Sequence, residues 1–152
     1  MSVTKQQLRA DLTAAMRAQD KVRTRTLRSV LTALSQAEVA GTEAVELAAE
    51  QVQDVVGQEA KRRRDAIEEF SKAHRDDLVG KETEELAVLT EYLPQQLTEA
   101  EIDGLVAEAI TETGAAGEGA RAMGRVMGVV VPRTKGRADG KIVAASVRRQ
   151  LG

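Results

Sequence analysis

The strongest restriction on this chain is the kind of apolar residue it contains. Of its 152 residues 42% are apolar, yet only Phe70 and Tyr92 are aromatic. Any core must therefore be built from Leu, Val, Ile, Met and Ala. Such side chains pack well between helices, whereas strands favour aromatic and β-branched residues. A charged fraction of 30% suits long exposed helical faces. The apolar residues recur at helical spacing, and no strand-like alternation or internal repeat interrupts them.

Seven helices are predicted from this pattern. The first starts near Thr4, where Thr4 and Gln7 can form a capping box, and turns Leu8, Leu12, Ala15 and Met16 inward. Asp20 caps the second, which buries Leu27, Val30, Leu31 and Leu34 and is broken by Gly41. The third covers 45–74 and would be about 40 Å long. Its stripe is Val52, Val55, Val56, Ala60, Ile67 and Phe70, and Gly57 inside it either weakens the helix or admits a close neighbour. Asp76 or Asp77 opens the fourth, with Leu78, Leu86, Leu89 and Leu93 inward.

A boundary falls at Leu93-Pro94. Thr98 and Glu101 then form a capping box ahead of Ile102, Leu105, Val106, Ala109 and Ile110. Residues 114–119 read as a loop of small residues. Met123, Val126, Met127, Val130 and Val131 mark a sixth helix that Pro132 stops, and Gly124 and Gly128 imply close helix packing there. Asp139 caps the last helix, which buries Ile142, Val143, Val147 and Leu151. The expected fold is all-α. A four-helix domain with a long central helix occupies 1–93, and a compact three-helix domain occupies 94–152.

The inventory of reactive groups is thin. Without cysteine, disulfides, thiolate metal sites and Cys nucleophiles are excluded. The lone His74 reads either as a ligand or base or as an exposed residue at a helix end, and a metal site would want three or four convergent ligands. Glu68, Glu69, Glu82, Glu84 and Glu85 lie on charged helix faces rather than as a carboxylate pair in a cleft. Residues 136–141 resemble part of a phosphate-binding loop, but Ile142 stands where Ser or Thr is required. No catalytic residue, metal or cofactor is expected. No membrane association is expected either, since Val129-Val130-Val131 is the longest apolar run read as buried. The absent cysteines and the charged N-terminal stretch suggest a cytosolic chain.

Charge is segregated. Residues 1–30 carry +5, residues 31–118 carry −14, and residues 119–152 carry +7. Screening over about 8 Å at physiological salt lets a local basic patch act alone. Two patches stand out. Lys61, Arg62, Arg63 and Arg64 on the third helix can pair with Glu59, Asp65 and Glu68 at helical spacing, or can face phosphates. Arg133, Lys135, Arg137 and Lys141 crowd a turn whose single acid, Asp139, is needed as a cap, and Arg148 and Arg149 follow. Exposed N–H groups at the start of the last helix would favour an anion. No aromatic residue is present there to stack bases, so phosphate and shape recognition of a folded RNA is the form such binding would take.

Motifs along the whole chain resemble the GatB/YqeY family, in particular its YqeY-like stand-alone proteins. They comprise Leu8, Asp11, Ala15-Met16, Asp20, Arg23, Leu27-Arg28 and Glu38, then Glu59, Lys61 to Arg64, Asp65, Ile67-Glu68, Asp77-Leu78, Lys81-Glu82, Glu85-Leu86 and Glu91-Tyr92-Leu93-Pro94. Met123-Gly124-Arg125-Val126-Met127 and the stretch 135–141 complete them. The resemblance implies an N-terminal helical domain peculiar to these proteins. It also implies a C-terminal domain, about 94–152, like the tail of GatB. That subunit belongs to the tRNA-dependent amidotransferase that converts Glu-tRNA to Gln-tRNA, and its tail contacts tRNA. The family label is carbon-nitrogen ligase with glutamine as amido-N-donor, but this chain shows no Cys, no Ser-Lys arrangement and no kinase-like body. Three readings follow. The first is a tRNA-associated accessory protein beside an amidotransferase or an aminoacyl-tRNA synthetase. The second is a helical protein–protein adaptor that binds no nucleic acid, and the third an enzyme with an unrecognised site. The sequence assigns no oligomeric state.

Overall fold

The computed structural model describes residues 3–152, and among these every regular element is helical. The helices are α1 (Lys5–Arg17), α2 (Lys21–Glu38), α3 (Ala49–Lys72), α4 (Asp76–Thr90), α5 (Glu99–Thr113), α6 (Met123–Thr134) and α7 (Gly140–Leu151), with a 3-10 turn at Gly119–Ala122 before α6. The chain divides into two compact units, Met1–Pro94 and Gln95–Gly152.

In the first unit α3 and α4 form a long hairpin, α2 packs against both, and α1 packs on α2. Leu8, Leu27, Val30, Leu34, Val56, Ala60 and Leu89 are fully enclosed in the core between them. Truncating any of these leucines to Ala would cost about 2–5 kcal/mol. The helix starts follow the expected chemistry. Thr4 Oγ1 accepts the N–H of Gln7 at 3.1 Å, and Asp20 Oδ1 accepts that of Arg23 at 3.0 Å. Gln7 does not complete a capping box, because its side-chain amide donates to Asp11 Oδ1 at 2.9 Å.

α3 begins at Ala49, four residues later than Val45. The Val45 N–H is held by Glu38 O at 2.9 Å, outside any helix. Ala48 has no side-chain acceptor, so only half a capping box forms: Gln51 Oε1 accepts the Ala48 N–H at 2.8 Å. Ile67 and Phe70 are only half-buried, and Gly57 has no neighbour within 4 Å of where a Cβ would stand.

In the second unit α5, α6 and α7 pack pairwise around Ile102, Val106, Ala109, Val126, Val130, Val143 and Val147. Ala115 and Ala122, buried at both ends of the small-residue loop, fasten it to this core. Thr98 and Glu101 form the full reciprocal capping box.

Several inward assignments are corrected. Met16 is 50% exposed, Val131 45% and Ile142 41%. Helices in such small units bury one narrow stripe, and residues beside it stay wet. Pro132 does not stop α6 but lies within its last turn. The ring crowds the carbonyl four residues back, which belongs to Gly128 on the exposed side of the helix. Gly124 and Gly128 do not mediate packing, since nothing lies within 4 Å of either missing Cβ.

Candidate nucleic-acid interface

The turn after α6 is built from its backbone outward. The Thr134 hydroxyl donates to Val130 O at 3.1 Å, and Thr134 O accepts the N–H groups of Arg137 (2.9 Å) and Ala138 (3.1 Å). Gly136 has φ +75°, a left-handed conformation that a glycine adopts without strain. The segment before α5 braces the turn. Leu97 N–H donates to Arg137 O at 2.8 Å, and the Gln96 side-chain amide donates to Gly136 O at 2.9 Å. Arg137 Nε in turn donates to Gln95 O at 3.1 Å. Lys135 and Lys141 are thereby presented at the surface of an ordered turn, with Arg137 half-buried between them.

The start of α7 is less open to anions than its sequence suggests. Asp139 Oδ1 accepts the Lys141 N–H at 3.0 Å, and Asp139 O accepts those of Ile142 and Val143 at 3.0 and 3.1 Å. The cap itself thus occupies most of the place an anion would take.

The remaining basic residues separate into two groups. Arg133 donates to Glu112 Oε2 at 2.8 Å, and this hydrogen bond holds the Glu112 carboxyl below its usual range and raises Arg133. Arg149 donates to Asp103 Oδ1 at 2.5 Å, and Ser146 shares the same oxygen at 2.6 Å. These two arginines are engaged by α5. Arg148 is exposed and lies seven residues after Lys141, on the same face of α7. Sequence reading passed over Arg121, an exposed cation in the 3-10 turn. It also missed the acids opposite Arg133 and Arg149, which lie 21 and 46 residues away in the chain and leave no helical-spacing signal.

The second basic patch breaks up. Lys61 pairs with Asp65 at 3.5 Å, and Arg62, its side chain 76% exposed, reaches Glu59 at 3.4 Å. Arg64 is half-buried. Arg63 points inward. Its Nη1 donates to Glu59 Oε2 at 2.6 Å, and its Nη2 lies 3.0 Å from Ser29 Oγ and 3.5 Å from Glu85 Oε1. Its Nε is buried without a hydrogen-bond partner, with Glu82 Oε2 at 3.9 Å. This side chain cannot touch phosphate. It joins α3 to α2 and α4.

Among the described residues no group of three or more His, Asp or Glu side chains could hold a metal ion, and no helix is long and apolar enough to cross a membrane. His74 occupies a left-handed position (φ +56°) between α3 and α4.

Comparison with known proteins gives a family. Residues 5–151 match the family described as Yqey-like protein. Among curated proteins, the chain is 34% identical over 148 residues to "Altered inheritance of mitochondria protein 41, mitochondrial" of Pyrenophora tritici-repentis, covering 95% of this chain and 79% of that one. The protein of the same name from Lachancea thermotolerans is 37% identical over 109 residues, 69% of this chain and 57% of its own length. Its Saccharomyces cerevisiae (strain YJM789) counterpart is 35% identical over 98 residues, 63% of this chain and 51% of its own. The chain thus spans little more than half of these last two. These names correct the expectation of a cytosolic chain: the relatives are mitochondrial proteins, and neither missing cysteines nor a charged first segment places this chain in the cytosol. With a match spanning nearly all of its length, the chain belongs to the YqeY-like family.

Proposed function

We propose that the C-terminal unit binds the phosphate backbone of a folded RNA, with tRNA as the class the GatB-tail resemblance implies. On this reading the chain is an accessory protein that works beside an amidotransferase or an aminoacyl-tRNA synthetase, without catalytic machinery of its own. One observation carries the reading. The braced α6–α7 turn presents Lys135 and Lys141 at the surface with Arg137 between them, in a stretch whose single acid after residue 118 is Asp139. Arg148 extends the patch along α7. Arg133 and Arg149 support it only by exchanging Glu112 and Asp103 for phosphate.

Phosphate contacts release counterions, so three or four of them give a log–log salt slope of about −2 to −4. The test is a salt titration of tRNA binding by the parent chain and by Lys135→Ala/Arg137→Ala/Lys141→Ala. The variant should bind all tRNAs more weakly and show a slope flatter by about 2, because phosphates carry no sequence information. Coincident curves, or no binding by the parent at low salt, would remove the tRNA reading.

A further inference from the structure

The first unit carries a groove that the C-terminal patch does not explain. It runs along the outer crevice between α1 and α2 and has a volume of about 670 Å³. Leu12 and Leu31, half-buried against the core, form its floor. Val39, 63% exposed, closes one end. Met16, whose sulfur lies 3.9 Å from the groove-lining Arg28, lines a separate recess of about 480 Å³ together with Lys21. From Lys21 to Val39 the α2 side of this surface is about 27 Å long at 1.5 Å per residue.

The rim is cationic. Arg28 lines the groove, its Nη2 3.9 Å from the Met16 sulfur, and makes no ion pair among the described residues. Arg9 shares the Leu12 and Met16 face of α1 by helical spacing, and among the described residues neither it nor Lys21 has a carboxylate partner. The only acids on α1 and α2 are engaged elsewhere, Asp11 by Tyr92 and Glu38 by Lys5. A concave apolar floor with cations on its flanks is complementary to one kind of object.

We propose that this groove docks an acidic amphipathic helix of a partner protein. Such a helix, about 15 residues long, would lay an apolar i, i+4, i+7 stripe on Leu12, Leu31, Met16 and Val39 and turn carboxylates toward Arg9, Lys21 and Arg28. It would complete a three-helix bundle with α1 and α2, since α1 packs on α2 and leaves its outer flank open. A bilayer is a poorer fit, because an interfacial helix offers a convex apolar face rather than a recess. A second copy of the chain is also a poorer fit, because its acidic helices α3, α4 and α5 already spend their apolar stripes on their own cores.

The probe is a fluorescein-labelled peptide of about 16 residues with Leu at i, i+3, i+4 and i+7 spacing and Glu on both flanks. Its controls are a twin with Lys in place of Glu and a scrambled peptide of the same composition. The 152-residue chain should bind the acidic peptide alone, and amide shift changes should fall on α1 and α2. Arg28→Glu should weaken binding at least about tenfold, and Val39→Asp, at an exposed position, should do likewise without loss of helical signal. The proposal fails if the acidic peptide does not bind, if the scrambled or lysine peptide binds equally, or if neither substitution changes affinity. It also fails if vesicles of phosphatidylcholine and phosphatidylglycerol bind through the same residues. Sedimentation showing a dimer that Val39→Asp dissociates would overturn it in favour of a self-interface.

Discussion

The Tyr92 hydroxyl donates to Asp11 Oδ2 at 2.5 Å, fastening the segment after α4 to α1 across 81 residues of chain. The neighbouring Glu91 accepts from Arg23 Nη2 at 2.5 Å. Two adjacent residues thus tie the end of the first unit to both helices of its opening hairpin. Burial, and next the hydrogen bond to Asp11, raise the Tyr92 phenol above its ordinary value.

That shift sets a pH dependence. A phenol ordinarily titrates near pH 10. Below that, Tyr92 is neutral in the folded and the unfolded chain, and its contribution is complete. Above it, the unfolded chain loses the proton first, so stability falls as pH rises toward the folded value. Tyr92→Phe should lower unfolding free energy by about 1 kcal/mol at pH 8, a modest figure for a hydrogen bond to a charged group at a half-buried site. The gap between parent and variant should shrink by pH 11. Urea titrations at both values check this, and a gap that widens at high pH would contradict it.

Arg63 makes a sharper contrast with its neighbour. Arg63→Met would leave Glu59 and Glu85, 4% and 5% exposed, with only the more exposed Arg62 and Arg25 as counter-charges. Breaking a buried pair from one side costs about 3–5 kcal/mol. Arg62→Ala, one residue away but exposed, should change stability by no more than about 0.5 kcal/mol. Similar midpoints for the two variants in urea would show that the buried network is not holding α2, α3 and α4 together.

What could be read from sequence follows from how local each interaction is. Asp20, Thr98 and Asp139 cap their helices as expected because a cap involves residues two or three apart. The all-helical composition was legible for the same reason. Met16, Val131 and Ile142 were misassigned because periodicity gives the direction of a stripe but not its width, which depends on how many neighbours a helix has. Arg63 could not be told from Arg62 and Arg64 within a run of four cations, since it is the approach of Ser29 from α2 and of Glu82 and Glu85 from α4 that selects it. The pairing of Arg133 with Glu112 and of Arg149 with Asp103 is tertiary, so the basic turn looked more exposed in sequence than it is.

The segment between α2 and α3 should be the first to be cut by protease. Glu43 and Glu46 are exposed there and lie outside helices. The stretch leading into α5 is better held, by Leu97 N–H on Arg137 O and Gln96 on Gly136 O. Limited digestion with a glutamate-specific protease, read by mass spectrometry, should give cleavage after Glu43 or Glu46 before any after Glu91 or Glu99. The reverse order would mean that the bracing hydrogen bonds do not persist in solution.

Three helices end in the same way, and the residue at the turning point differs. After α1, Gln19 has φ +58°, with Asp20 N–H on Ala15 O at 3.0 Å and Gln19 N–H on Met16 O at 3.2 Å. After α3, His74 has φ +56°, with Arg75 N–H on Phe70 O at 2.9 Å and His74 N–H on Ser71 O at 3.2 Å. After α5, Gly114 has φ +65°, with Ala115 N–H on Ile110 O at 3.0 Å. Each is a Schellman termination, whose left-handed residue is usually glycine. A side chain there costs about 1–2 kcal/mol, part of which glycine returns through its greater freedom in the unfolded chain. Gln19→Gly and His74→Gly should therefore each stabilise the first unit by about 0.5–1 kcal/mol, and Gly114→Ala should destabilise the second by about 1 kcal/mol. If the two units unfold independently, calorimetry will show two transitions. The Gln19 and His74 substitutions will then raise one, and Gly114→Ala will lower only the other. A single transition moved by all three would join the units into one cooperative block, and a loss of stability in His74→Gly would show that the lone histidine makes a contact worth more than its backbone strain.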